Sequence, residues 1–136
     1  MPPETTSPED PREWLRRARS NLARAKRDRD APDILAEDAC FDAQQACEKA
    51  LKALLVLKAC PVPRTHAIAD LIDAVIALGF DPPDPVRDGA SLTEYAVAAR
   101  YPGPTEPVEP ADLEAAVRTA EAVLTWATLM IDTHPT

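Results

Sequence analysis

Fifteen prolines divide this chain, and their placement leaves little freedom in secondary structure. A proline inside a helix removes a backbone hydrogen bond and clashes with the preceding turn, at a cost of roughly 3 kcal/mol. Here the prolines gather in the N-terminal tail and at a few joints. The long stretches between them carry apolar residues at a spacing of three and four, the period of an α-helix with one buried face. The chain therefore reads as helices separated by stiff joints, with no strands.

Residues 1–9 contain Pro2, Pro3 and Pro8 and almost nothing apolar, so they are expected to be a disordered tail ahead of one domain over 10–136. Asp10-Pro11-Arg12-Glu13 opens the first helix, with Asp10 as cap, Pro11 at the first helical position and Glu13 closing a capping box. Trp14, Leu15, Ala18, Leu22 and Ala25 carry it to about residue 29. Asp30-Ala31-Pro32 breaks the chain and starts a second helix over about 32–59, ended by Pro61 and Pro63. At about 1.5 Å per residue this helix is roughly 40 Å long and forms the spine of a bundle.

Thr65 is the expected cap of a third helix, which Gly79 terminates. Asp81-Pro82-Pro83-Asp84-Pro85 is expected to be a stiff loop, and Ser91-Leu92-Thr93-Glu94 a capping box opening a short fourth helix to Ala99. Residues 101–110 form a second proline loop. Pro110 then starts a fifth helix, whose stripe from Leu113 to Met130 ends near residue 132. The fold class is all-α, an up-and-down bundle of about five helices. With 46% hydrophobic but only 4% aromatic residues, its core must be built from Ala, Leu and Val. The long Ala/Leu stripes of the second and fifth helices suggest apolar surface beyond what one small bundle buries, hence a homodimer.

The charge is uneven. Residues 12–29 hold eight basic and two acidic side chains, a local net of +6 that leaves −14 for the remainder of the −8 chain. A negative total opposes nonspecific nucleic-acid binding. The basic stretch is therefore read as a solvated face complementing the acidic remainder of the same molecule or its dimer mate, in preference to an RNA contact. The N-terminus lacks the basic and apolar regions of a signal peptide, and no apolar run approaches the roughly 18–20 residues of a membrane span. A cytoplasmic protein with no membrane association is expected. Cys40 and Cys47 lie two helical turns apart, roughly 10 Å, too far for a disulfide, whose Cα atoms lie within about 7 Å. Cys60 has no His or Cys at metal-ligand spacing, so the thiols are read as small apolar residues and no metal site is expected.

Specific catalytic signatures are missing. Three glycines, Gly79, Gly89 and Gly103, exclude a P-loop and a dinucleotide fingerprint, and two histidines, His66 and His134, exclude a histidine metal cluster. The informative segment is Phe41-Asp42-Ala43-Gln44-Gln45-Ala46-Cys47-Glu48-Lys49-Ala50-Leu51-Lys52-Ala53-Leu54-Leu55. It resembles the signature helix of HEPN domains, helical domains of prokaryotes and eukaryotes that bind nucleotides or cut RNA. Arg64-Thr65-His66, Leu92-Thr93-Glu94-Tyr95 and Arg100-Tyr101-Pro102 follow in the order that family would place them.

Catalytically active members resemble metal-independent ribonucleases with a histidine four to six residues after an arginine, paired across a dimer. Neither His66 nor His134 has an arginine at that distance upstream. The resemblance then implies the non-catalytic branch, an accessory protein that works beside a small nucleotidyltransferase in a toxin–antitoxin setting and binds a nucleotide such as ATP, with no other cofactor and no catalysis of its own. In that reading Arg100 faces the phosphate and Tyr101 stacks or hydrogen-bonds beside it, with Lys49, His66 and Tyr95 in support. A helical interaction scaffold without a ligand, and a HEPN ribonuclease toxin with a non-standard site, are the alternatives.

Overall fold

Residues 10–95 and 108–134 are described by the computed structural model, and all their regular structure is helical. Helix α1 spans Pro11–Asp28. The Asp10 carboxylate accepts the Arg12 backbone N–H at 2.9 Å, as the sequence predicts. The Glu13 carboxylate is instead engaged by the side chains of Arg16 and Arg17. The inward face carries Leu15, Ala18, Leu22 and Ala25 at alternating steps of three and four residues.

Helix α2, Ala36–Leu57, is the spine and packs against α1 and the helical segments at 68–77, 88–93 and 110–133. It starts later than Pro32, because residues 28–34 form turns closed by Ala31 N–H to Asp28 C=O and Ile34 N–H to Ala31 C=O. From Ala39 to Leu55 it buries alanines, leucines and two cysteines, whose small volumes let neighbouring axes approach closely. The expectation of surplus apolar surface on this helix is corrected: its stripe is consumed within the bundle. The exposed large apolar side chains among the described residues are Ile34, Leu35, Ile76 and Leu129.

Helix α2 and helix α3 (Ile68–Ala77) each end with a left-handed residue and the paired hydrogen bonds of a Schellman motif. At α3 the left-handed residue is Gly79, with φ 101°. Phe80 N–H reaches Val75 C=O and Gly79 N–H reaches Ile76 C=O. At α2 it is Ala59, with φ 55°, and Cys60 N–H reaches Leu55 C=O at 2.9 Å.

Three boundaries differ from the sequence reading for identifiable reasons. Thr65 does not cap α3; its hydroxyl accepts the Ala67 N–H, and the first helical N–H, of Ile68, goes to Thr93 Oγ1 at 2.9 Å. The Pro82–Pro85 segment is not a loop throughout, since helix α4 (Asp84–Arg87) begins at Asp84 with Pro85 inside its first turn, where no N–H is needed. Ser91–Glu94 is not a capping box, because Asp88–Thr93 continues α4 as a 3-10 turn in which Ser91 Oγ donates to Asp88 C=O. Glu94 and Tyr95 are helical, and residues 96–99 of the expected fourth helix lie outside the described residues. Helix α5, Pro110–Thr133, starts at its proline as predicted.

Ion pairs mark the topology. Arg12 meets Asp132 and Arg29 meets Glu114, so α5 runs antiparallel to α1 and parallel to α2. Seven of the eight basic side chains at 12–29 pair with carboxylates of this same chain among the described residues. The basic face of α1 is thus largely neutralised within the molecule, each exposed pair contributing at most about 1 kcal/mol. Cys40, Cys47 and Cys60 are free thiols, the first two fully buried. No described helix is long and apolar enough to cross a membrane.

Candidate functional site

Four residues on α2, Cys40, Gln44, Glu48 and Lys52, recur every fourth position and form one stripe. Three of them are polar, yet all four are buried. An ionised carboxylate in such a place must be fully hydrogen-bonded. Glu48, 4% exposed, meets that demand with Lys52 Nζ at 2.8 Å, His66 Nδ1 at 2.8 Å and Gln44 Nε2 at 3.1 Å. Burial pushes the Glu48 carboxyl up, but the donors Lys52, His66 and Gln44 outweigh it and hold the group below its ordinary value.

His66 is the outward end of this network. Its side chain is 51% exposed, and it lies two residues ahead of α3. An ionised carboxylate can only accept, so the bond from Glu48 requires the proton on Nδ1. A neutral ring in that tautomer carries its lone pair on Nε2. Gln44 Nε2 also donates to the His66 backbone carbonyl at 3.2 Å, which fixes the residue at main chain and side chain together. Such an imidazole can accept a hydrogen bond or proton at Nε2, or donate one when protonated.

Tyr95 reaches the same stripe one step earlier. Burial first, and then the nearby Cys40, Asp112 and Glu94, push its hydroxyl up to about 12. It is a neutral group beside Cys40. Lys49 goes elsewhere. One residue past Glu48 is a rotation of about 100°, which turns its ammonium toward α1, where it donates to Asn21 Oδ1 at 2.7 Å. Arg100 and Tyr101 lie outside the described residues. The structure thus places His66 and Tyr95 along one stripe of α2 and Lys49 on its α1 side. Gln44, Glu48, Lys52 and Asn21 were missed as participants. The signal for three of them was a polar residue at every fourth position within an otherwise apolar segment.

Among the described residues no group of three His, Cys, Asp or Glu side chains is arranged to hold a metal ion. The fold and stripe define a helical domain in which a buried carboxylate orients one exposed imidazole. The chain belongs to the HEPN domain family, whose model matches residues 11–130. Two solved structures are similar over nearly their whole length. TT1696 from Thermus thermophilus is 32% identical with a TM-score of 0.76, over 88% of this chain and 96% of its own. ST0689, an archaeal HEPN homologue, is 25% identical with a TM-score of 0.69, over 90% of this chain and 98% of its own. The curated proteins contain no match.

Proposed function

We propose that this HEPN domain is a nucleotide-binding accessory module, acting as a homodimer beside a small nucleotidyltransferase partner. The observation that supports binding is the commitment of three buried polar residues, Gln44, Glu48 and Lys52, to the orientation of a single exposed imidazole. Burying polar groups brings little stability compared with apolar residues of the same volume, so a ligand gives the arrangement a purpose. His66 would contact the ligand through Nε2, Tyr95 would border it, and Arg100 and Tyr101 would meet its phosphate and base. Calorimetric titration with ATP, ADP and GTP tests the reading. Saturable binding is expected, weakened at least about tenfold by His66→Ala and by Arg100→Ala. Absence of binding in the wild type would leave an interaction scaffold, which the exposed Leu35 and Leu129 would serve.

The carboxylate–imidazole pair favours one second reading, phosphodiester cleavage with His66 as the acid–base group. Incubation with a single-stranded RNA checks it: cleavage abolished by His66→Ala would replace the binding role with a catalytic one.

A further inference from the structure

On the other side of α2, Lys49 presents a different problem. It is half-buried, and its ammonium has the neutral amide oxygen of Asn21 as partner among the described residues. Desolvation disfavours its charge, and Arg24 and Arg17 oppose it further, while Glu48 and Asp42 attract it. Those two carboxylates are already engaged. Glu48 holds Lys52 and His66, and Asp42 holds Arg24 at 2.8 Å and Asn21 Nδ2 at 2.8 Å. A half-buried cation whose neighbouring anions all belong to other groups is an electrostatic vacancy for an external anion.

The surroundings are built for one. Asn21 is 3% exposed, and both ends of its amide are fixed, by Lys49 and by Asp42. The Lys49 ammonium is therefore held at a set position between α1 and α2. Arg17 and Arg24 lie one turn to either side of Asn21 on α1, with side chains 63% and 51% exposed. Arg17 uses Nε toward Glu13, which it shares with Arg16. Arg16 and Arg17 share the single carboxylate Glu13, and Arg24 and Lys49 lie near Asp42, so cationic groups outnumber carboxylates along this face of α1. The neutralisation of the rest of α1 argues for a small ligand, since an RNA backbone would need an extended unpaired stripe.

We propose that Lys49, flanked by Arg17 and Arg24, is a binding site for the phosphate group of a small phosphorylated ligand, separate from the His66 site. The ammonium would supply a charge-assisted hydrogen bond, and the Nη groups of Arg17 with Nη1 of Arg24 would close around the remaining oxygens. The site does not depend on the nucleotide reading above, and either can fail alone.

The test is calorimetric titration of the full chain with inorganic phosphate and with pyrophosphate, in wild type, Lys49→Met, Arg17→Gln and His66→Ala. Expected is saturable one-to-one binding in wild type, at least about tenfold weaker in Lys49→Met, about threefold or more weaker in Arg17→Gln, and unchanged in His66→Ala. Should Lys49→Met fail to fold by circular dichroism, the exposed Arg17→Gln decides alone. The proposal is overturned by absent saturable binding in wild type, by affinity unaltered in the folded Lys49→Met or Arg17→Gln, or by binding only to a single-stranded RNA. Loss in His66→Ala with Lys49→Met unaffected would also overturn it, placing the phosphate at the other site.

Discussion

Glu48→Ala is the perturbation that most directly probes how this domain holds its polar interior. The substitution removes an acceptor that Lys52 Nζ, His66 Nδ1 and Gln44 Nε2 share. Gln44 keeps the His66 carbonyl, and His66 can turn to water, but Lys52, 8% exposed, is left as a buried ammonium without its counter-ion. Removing one partner of a buried pair costs about 3–5 kcal/mol, a fifth or more of the roughly 5–15 kcal/mol that stabilises a typical domain. With a urea dependence of about 1–3 kcal/mol/M, the unfolding midpoint should fall by roughly 1–5 M. The double variant Glu48→Leu with Lys52→Met removes both charges and should recover to within about 1–2 kcal/mol of wild type. The dependence on pH has a definite sign. The folded carboxyl titrates below the ordinary glutamate value of 4.5, so its contribution is complete above that value and is lost as pH falls through the folded one. Wild type should therefore lose stability on acidification more steeply than Glu48→Gln. A cost below about 1 kcal/mol for Glu48→Ala, or a double variant no better than the single one, would refute the assignment of Lys52 as a charge dependent on Glu48.

Ala59→Gly should stabilise the protein by roughly 0.5–1 kcal/mol, because the left-handed conformation penalises Ala by more than the extra unfolded-state entropy of Gly; thermal unfolding measures it, and Gly79→Ala, at φ 101°, should move the midpoint the other way. Thr93→Val leaves the first N–H of α3 without its cap and should cost about 1 kcal/mol in urea unfolding. Burial pushes the Cys40 and Cys47 thiols up to about 12, so a thiol-reactive dye should label only Cys60 in the native protein at neutral pH, with the other two reacting after unfolding.

Much of the architecture was legible along the chain because the forces that set it are local. Proline sterics, the three-and-four spacing of Leu15, Ala18 and Leu22, the Asp10 cap and the Pro110 start all act within one or two turns. The same locality explains the errors. The cap of α3 comes from Thr93, 25 residues away, and no local pattern distinguishes it from Thr65. Pro82–Pro85 looked like a loop because prolines forbid a helix interior, whereas the first turn tolerates them. The site was legible in composition but not in arrangement. Glu48 and Lys49 are neighbours in sequence, yet the helical rotation between them gives Glu48 to His66 and Lys49 to Asn21. Which buried carboxylate holds which cation depends on where α1 and the segment before α3 pack around α2. Sequence alone determined that this chain forms α-helices and where they break; tertiary packing decided which polar side chains were taken out of water, and a charge removed from water must find a partner that is close in space and distant in sequence.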